Sequence, residues 1–104
     1  MNDSQPAGEK IWLRHYPPGV PAEIDPDSIA SLKRLYEDAC RKYARLPAYT
    51  NMGVRKSYAD LDRASRDFAA WLQKEAGLRK GDRVAIMMPN LLQYPIAIMG
   101  VHRA

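Results

Sequence analysis

Apolar residues recur at helical spacing in the first two-thirds of the chain and then change pattern. Between Ser28 and Leu46, residues Leu32, Leu35, Tyr36, Ala39, Cys40 and Tyr43 fall on one stripe, the face that a helix turns toward a core. Between Ser57 and Gly77, residues Leu61, Ala64, Ser65, Phe68, Trp71 and Leu72 form a second stripe. Val84, Ala85, Ile86, Met87 and Met88 then make an unbroken apolar run. A half-solvated strand alternates, so this run predicts a strand over 83–88 covered on both faces, as in a parallel sheet flanked by helices. Burying Val84 and Ile86 is worth roughly 1.5–3 kcal/mol each. Ile96 to Val101 is apolar nearly all round, which predicts a buried third helix. Asn90 or Leu92 opens it, and Pro95, acceptable only in a first turn, sets the start near Leu92.

Turn chemistry marks the boundaries. Ser28 or Ser31 is the N-cap of the first helix, a residue typically worth ~1 kcal/mol over alanine, and Pro47 closes that segment. Ala48-Tyr49-Thr50 and Val54-Arg55-Lys56 flank Asn51-Met52-Gly53, which reads as a small hairpin with Gly53 at a turn position. Ser57-Tyr58-Ala59-Asp60 resembles a capping box with Asp in place of Glu, so its return bond is expected to be weaker. Gly77 stands where a left-handed residue closes a helix. Lys80-Gly81-Asp82 turns the chain into the strand and Pro89-Asn90 ends it. Ile11 to Asp27 is punctuated by proline, which predicts an extended arm with no helix, lying across the body through Trp12, Tyr16, Val20 and Ile24. A peptide ligand through Pro18-Gly19-Val20-Pro21 is the sharper alternative, on a pattern common by chance. The organisation expected is therefore an arm over 1–27 and an α/β subdomain over 28–104. That subdomain reads as incomplete. A buried helix after a doubly covered strand leads back to a parallel strand, and without one the strand lacks a partner and the third helix lacks a surface.

Composition narrows the class. The 104 residues suffice for one small domain, and 46% hydrophobic content is that of a globular protein. The net charge of +4 raises nucleic acid or an anionic membrane as partners. However, Lys33–Glu37, Glu37–Arg41, Arg34–Asp38 and Asp38–Lys42 on the first helix, and Asp62–Arg66 and Arg63–Asp67 on the second, are four apart and opposite in sign. Each such pair adds ~0.2–0.5 kcal/mol to its helix. These are solvated, paired faces, and no nucleic-acid partner is expected. The single cysteine excludes an internal disulfide and fits a reducing compartment. Met1 to Glu9 is polar with no signal-peptide core after it. The longest apolar run, Pro95 to Val101, falls far short of the roughly 20 residues of a spanning helix. A soluble, cytoplasmic chain is expected.

Chemistry-bearing residues are scattered. There is no GxGxxG, no phosphate loop ending in Gly-Lys-Ser/Thr, and no His/Cys cluster at metal spacing. His15 and His102 lie in different segments and read as helix-end or surface histidines. Cys40 lies at the margin of an apolar face with no partner base, and is expected to act as a small hydrophobe. Asp60 and Asp82 read as cap and turn residues, Tyr49, Tyr58 and Trp71 as core, and Lys80 and Arg83 as solvated. Arg103 near the end of the last helix favourably meets its dipole, with an anionic ligand as the alternative. No catalytic, cofactor-binding or metal-binding residue is assigned.

Several blocks resemble a known family. Ser57-Tyr58-Ala59-Asp60-Leu61 resembles the first core motif of the adenylate-forming, AMP-binding enzymes, a Thr/Ser-Tyr-x-Glu/Asp-Leu opening a helix. KGDRVAIMMPN followed by LLQYPIAIMGVHRA is similar to the strand–helix unit after it, and WLRHYPPGVPAEID, AYTNMG and MMPNLLQYP resemble bacterial long-chain fatty-acid–CoA ligases. The resemblance covers the chain from about Ile11 to its end. It implies an N-terminal fragment of the large α/β domain, helices packed on a partial sheet with one small hairpin. The parent's reaction would join a fatty acid to CoA through an acyl-adenylate, using ATP and Mg²⁺ and releasing pyrophosphate. It also implies that the phosphate loop, the adenine and ribose motifs and the lid lysine lie outside this chain, so the chain alone is expected to be inactive. In some acyl-CoA synthetases an arginine near the position of Arg103 approaches the CoA nucleotide; Arg103 is not carried over on that basis. The partners implied are the remainder of the parent enzyme and a homo-oligomer built through the arm or an exposed strand edge. The localisation is cytoplasmic or peripheral at the inner membrane face. The alternatives are a free-standing protein-interaction module that docks a partner on the last helix, and a fragment of another adenylate-forming ligase.

Overall fold

A computed structural model describes residues 8–104. Three helices and one antiparallel hairpin make a mixed α/β unit: α1 (Leu32–Lys42), β1 (Pro47–Asn51), β2 (Val54–Ser57), α2 (Tyr58–Lys74) and α3 (Gln93–Arg103). The loose segment expected over Met1 to Glu9 lies outside the described residues except for Gly8 and Glu9.

The arm departs from expectation in two ways. It contains short 3-10 turns at Ile11–His15 and Pro26–Ser28, where no helix was predicted. The first falls between Pro6 and Pro17, so no ring interrupts it. The second opens on Pro26, whose missing N–H is harmless at a first helical position, and the Asp25 carboxylate accepts from the Asp27 N–H at 3.0 Å. Nor does the arm lie across the body. Every residue from 8 to 31 except Leu13 is exposed, and Ile24 is 84% exposed. Its ion pairs are internal, Lys10 to Glu23 at 2.7 Å and Arg14 to Glu9 at 3.4 Å. The Cα radius of gyration is accordingly 18.9 Å, against roughly 13 Å for a compact chain of this length.

Ser31, not Ser28, caps α1, its Oγ accepting from the Arg34 N–H at 3.1 Å. Ser28 belongs to the 3-10 turn and donates to the Asp25 carbonyl. The helix ends at Lys42 rather than Leu46, because carbonyls beyond it bond to the start of α2: Ala59 N–H donates to Ala44 O and Tyr58 N–H to Leu46 O, each at 3.0 Å. The hairpin forms as expected, pairing Thr50 with Arg55 and Asn51 with Val54 around Met52-Gly53. Both loop residues have positive φ, 48° and 80°, the geometry that matches a two-residue turn to the twist of the strands. The capping box of α2 is complete. Ser57 Oγ accepts from the Asp60 N–H at 3.1 Å, and Asp60 accepts from the Ser57 N–H at 3.0 Å. At the other end Gly77, at φ 68°, reverses the chain after α2.

Cys40, Leu61 and Met99 form the centre of the core, one from each helix, with Tyr36, Ala48, Tyr49, Tyr58 and Ile96 packed around them. The buried stripe of α2 is Leu61, Ser65, Ala69 and Leu72. Its steps of four and three rotate the stripe toward Ala69 and leave Trp71 54% exposed, against the sequence reading, with its ring stacked on Phe68 at 6.2 Å. The third helix starts where Pro95 requires. It does have a surface to lie on, namely α2. At their crossing a Cβ on Gly100 would stand 2.5 Å from Phe68 Cδ1 and 3.3 Å from Phe68 Cβ. The missing side chain of Gly100 is what leaves room for the Phe68 ring.

The predicted strand over 83–88 is not formed. The segment has no regular secondary structure, and no backbone hydrogen bond joins residues 83–90 to another described residue. Met87 is 94% and Val84 37% exposed. A strand's hydrogen bonds go to a neighbouring strand, and none lies alongside this segment among the described residues.

Two outcomes follow from the packing and the cap. Gly100→Ala gains ~1 kcal/mol of helix propensity but overpacks the crossing by about 1–3 kcal/mol, so its urea midpoint falls below that of the parent sequence. The Ser57 bonds, followed by weaker attraction to Arg63 and Lys56, hold the Asp60 carboxyl below its ordinary value. A group whose pKa is lowered on folding adds stability above its unfolded pKa and loses it as pH falls through the folded one. Ser57→Ala therefore moves the Asp60 titration up in carboxyl-detected NMR and shrinks the difference in stability between neutral and acid pH.

Candidate functional site

The most enclosed charged cluster lies where the three helices meet. Arg103, in the last turn of α3, has a side chain only 8% exposed. Its guanidinium reaches back to α2, with Nη2 3.0 Å from the Asp62 carboxylate, while Nη1 donates to the Asp62 carbonyl and to Ser65 Oγ at 2.9 Å each. On the opposite side Nε lies 3.5 Å from the Glu37 carboxylate of α1. Ser65, fully buried, in turn donates to the Asp62 carbonyl. Arg66 pairs with Asp62 at 2.9 Å from outside, and with Arg41 it rims an opening of about 470 Å³ over the cluster.

This arrangement accounts for the fate of the predicted surface pairs. Arg34–Asp38 and Asp62–Arg66 form as read. Glu37 is drawn inward to Arg103, so Lys33–Glu37 and Glu37–Arg41 are absent from the pairs seen, and Arg41 turns to Asp38 at 3.3 Å. Arg63 pairs with Asp60 rather than Asp67, and Asp38 pairs with Arg34 and Arg41 rather than with Lys42, whose Nζ lies 5.1 Å from the Tyr43 ring centroid.

Arg103 was singled out from sequence for a different duty. Its position in the last turn suits the helix dipole, but its donors are already committed to a carbonyl, a hydroxyl and two carboxylates. As placed, it is a clamp rather than an open anion receptor. Glu37, Asp62 and Ser65 were missed as its partners. The available signal was a serine within an apolar stripe, three residues after an aspartate, matched by an arginine in the last turn of an apolar helix.

The other candidates stay apart. His15 ends a 3-10 turn in solvent, and exposed His102 stacks on Tyr36 with centroids 5.8 Å apart. Cys40 is buried, and burial followed by the Asp62 carboxylate pushes its thiol pKa up, Arg103 pulling the other way. A nucleophilic thiolate needs the reverse. Tyr49 is half-buried, its hydroxyl donating to the Leu92 carbonyl ahead of α3. Burial and then Asp60 raise its pKa. Tyr58 tilts against Tyr43, and Asp82 accepts from the Arg79 N–H in its turn. Lys80 and Arg83 are exposed. Among the described residues no three His, Cys, Asp or Glu side chains are grouped to hold a metal. The enclosed guanidinium is neutralised by the carboxylates around it. No described helix is long and apolar enough to cross a membrane.

The comparisons with known proteins agree with one another. A family model described as "AMP-binding enzyme" matches residues 36–104, a span that includes Glu37, Asp62 and Arg103. The long-chain-fatty-acid–CoA ligase of Yersinia pestis is 58% identical over 96 residues, 92% of this chain and 17% of that protein. The proteins of the same name from Salmonella typhimurium and Escherichia coli O157:H7 are 55% and 52% identical over the same 92% of this chain and 17% of their own lengths. This chain thus spans about a sixth of the length of the curated relatives it matches. No solved structure matches it at a significant level.

The clamp has a testable signature. Arg103→Met leaves the Asp62 and Glu37 carboxylates without their shared partner. The expected loss is about 1.5–3 kcal/mol, the range for hydrogen bonds to charged groups, because both carboxylates keep some access to water. Adding Asp62→Leu restores part of that loss, since it removes a carboxylate left unpaired. Urea titration of the single and double variants reads both effects.

Proposed function

This chain belongs to the family of AMP-binding enzymes, and we propose that within it the chain is the scaffold that begins the large domain of a long-chain fatty-acid–CoA ligase. The observation that carries this reading is identity of 52–58% to ligases of that name over 92% of this chain, at 17% of their length. The whole enzyme would activate a long-chain fatty acid with ATP and Mg²⁺ and pass it to CoA in the cytoplasm, with the reacting groups supplied by residues outside this chain. The role of these residues is architectural. The Arg103 clamp and the Gly100 crossing fix three helices and a hairpin as one block, and the arm over residues 8–27 extends from it. An exposed arm and an enclosed, neutralised arginine support a part that organises a larger domain over one that carries chemistry itself.

Two preparations test this. The chain alone, given ATP, Mg²⁺, oleate and CoA, releases no pyrophosphate and forms no oleoyl-CoA. Installed in the Yersinia pestis ligase in place of the segment it aligns with, it yields a chimera that forms oleoyl-CoA within about tenfold of the unmodified ligase, a difference of about 1.4 kcal/mol in barrier. Turnover by the chain alone, or a folded chimera without ligase activity, contradicts the reading.

A further inference from the structure

The charge of this chain is unevenly placed. Residues 39–59 carry Arg41, Lys42, Arg45, Arg55 and Lys56 and no acid, so the net charge of +4 is concentrated there and the remainder is close to neutral. Of these cations only Arg41 forms an ion pair among the described residues, with Asp38 at 3.3 Å. The stretch runs from the end of α1 through the whole β1–β2 hairpin. The hairpin gives Ala48 and Tyr49 to the core. Tyr49 pairs with Lys56 across it and Thr50 with Arg55, so Thr50 and Arg55 turn to the outer face, and both are exposed. Apolar side chains share the stretch: Leu46 is 53%, Val54 47% and Met52 96% exposed. Met52 also takes a φ of 48°, a backbone state that glycine or asparagine enters at less cost. A solvated turn gains nothing from methionine there, whereas a surface that takes up its side chain does.

We propose that the β1–β2 hairpin is a membrane-contact surface, its cations facing anionic phospholipid headgroups and its Met52 tip entering the boundary between headgroups and acyl chains. Charge complementarity sets the sign of the occupant, since each Lys or Arg held near an anionic leaflet strengthens binding about fivefold. The apolar residues set its kind. Binding at a bilayer interface scales with buried apolar area plus attraction to anionic lipid, and Leu46, Met52 and Val54 supply the first beside Arg45 and Arg55, which supply the second. A nucleic acid would use the cations but gives these three side chains nothing to enter. The hairpin ring that could stack on a base, Tyr49, is half-buried with its hydroxyl committed to the Leu92 carbonyl. This inference goes beyond the proposed function, and its readout needs no ligase turnover.

The test is sedimentation of the chain, and of the Yersinia pestis chimera described above, with vesicles of phosphatidylcholine alone or mixed with phosphatidylglycerol. Both proteins bind the mixed vesicles about tenfold or more tighter than phosphatidylcholine. Salt at ~1 M, which screens charge beyond about 3 Å, removes most of that binding. Arg45→Ser combined with Arg55→Ser weakens it about 25-fold. Arg45→Lys combined with Arg55→Lys keeps it within about twofold, which separates charge from misfolding. Met52→Asn, which suits the turn, weakens it about tenfold, and Arg83→Ser, outside the stretch, leaves it unchanged. Binding by the chain but not by the folded chimera overturns the proposal, because the rest of the ligase then covers the hairpin. So does chimera binding that the two serine substitutions leave intact. Duplex DNA bound as tightly as mixed vesicles, with Met52→Asn affecting neither, makes the hairpin a general polyanion contact and also overturns it. A chimera that binds vesicles through these residues yet forms no oleoyl-CoA supports the proposal while the functional reading falls.

Discussion

One guanidinium ties the fold together. Arg103 departs from the end of α3, bonds to α2 through Asp62 and Ser65, and faces Glu37 of α1. Taking an arginine out of water costs several kcal/mol unless carboxylates and acceptors surround it, and three elements must converge to provide them. The interaction therefore selects one arrangement of the helices among the many that apolar stripes alone would permit. It also orders the neighbourhood: Glu37 leaves the solvent face and Arg41 shifts to Asp38.

The clamp depends in turn on how near α3 comes to α2. Arg103 lies three residues beyond Gly100, whose missing side chain admits the Phe68 ring. Successive turns of α3 thus supply the close contact and the arginine. On the facing helix Ser65 and Phe68 are also three apart, so the apolar and polar contacts lie side by side on neighbouring turns. The capping box at Ser57 sets where α2 begins and hence which of its residues meet α3. Cap, glycine and clamp form one chain of dependence from the start of α2 to the end of α3.

What was legible in the sequence was what depends on neighbours in sequence. The hairpin turn at Met52-Gly53, the Ser57 box, the Gly77 reversal and the start of α3 behind Pro95 all rest on local backbone chemistry, and all are present. The family was legible for the same reason, since its motif coincides with a cap. The readings that failed concern long-range partners. Glu37 read as a surface residue because its neighbours at four residues' spacing are cations, yet its actual partner lies 66 positions later. Trp71 satisfied a stripe by spacing, but the angular drift of the helix gave that place to Ala69. The end of α1 was overestimated because the carbonyls of Ala44 and Leu46 bond to residues of α2, a competition invisible in the α1 sequence.

The contrast between the helices and the 83–88 run has a common physical root. A helix satisfies its backbone within itself, so α1, α2 and α3 need only a shared apolar face and a satisfied polar seam to be stable as a block. A strand satisfies none of its backbone alone, and an apolar strand gains its roughly 1.5–3 kcal/mol per large side chain only once both faces are covered. The hairpin escapes this because its two strands are joined by two residues and find each other at little entropic cost. Val84 to Met88 has no such near partner among the described residues. The same run of residues is therefore a liability in a block of three helices, where Met87 and Val84 face solvent.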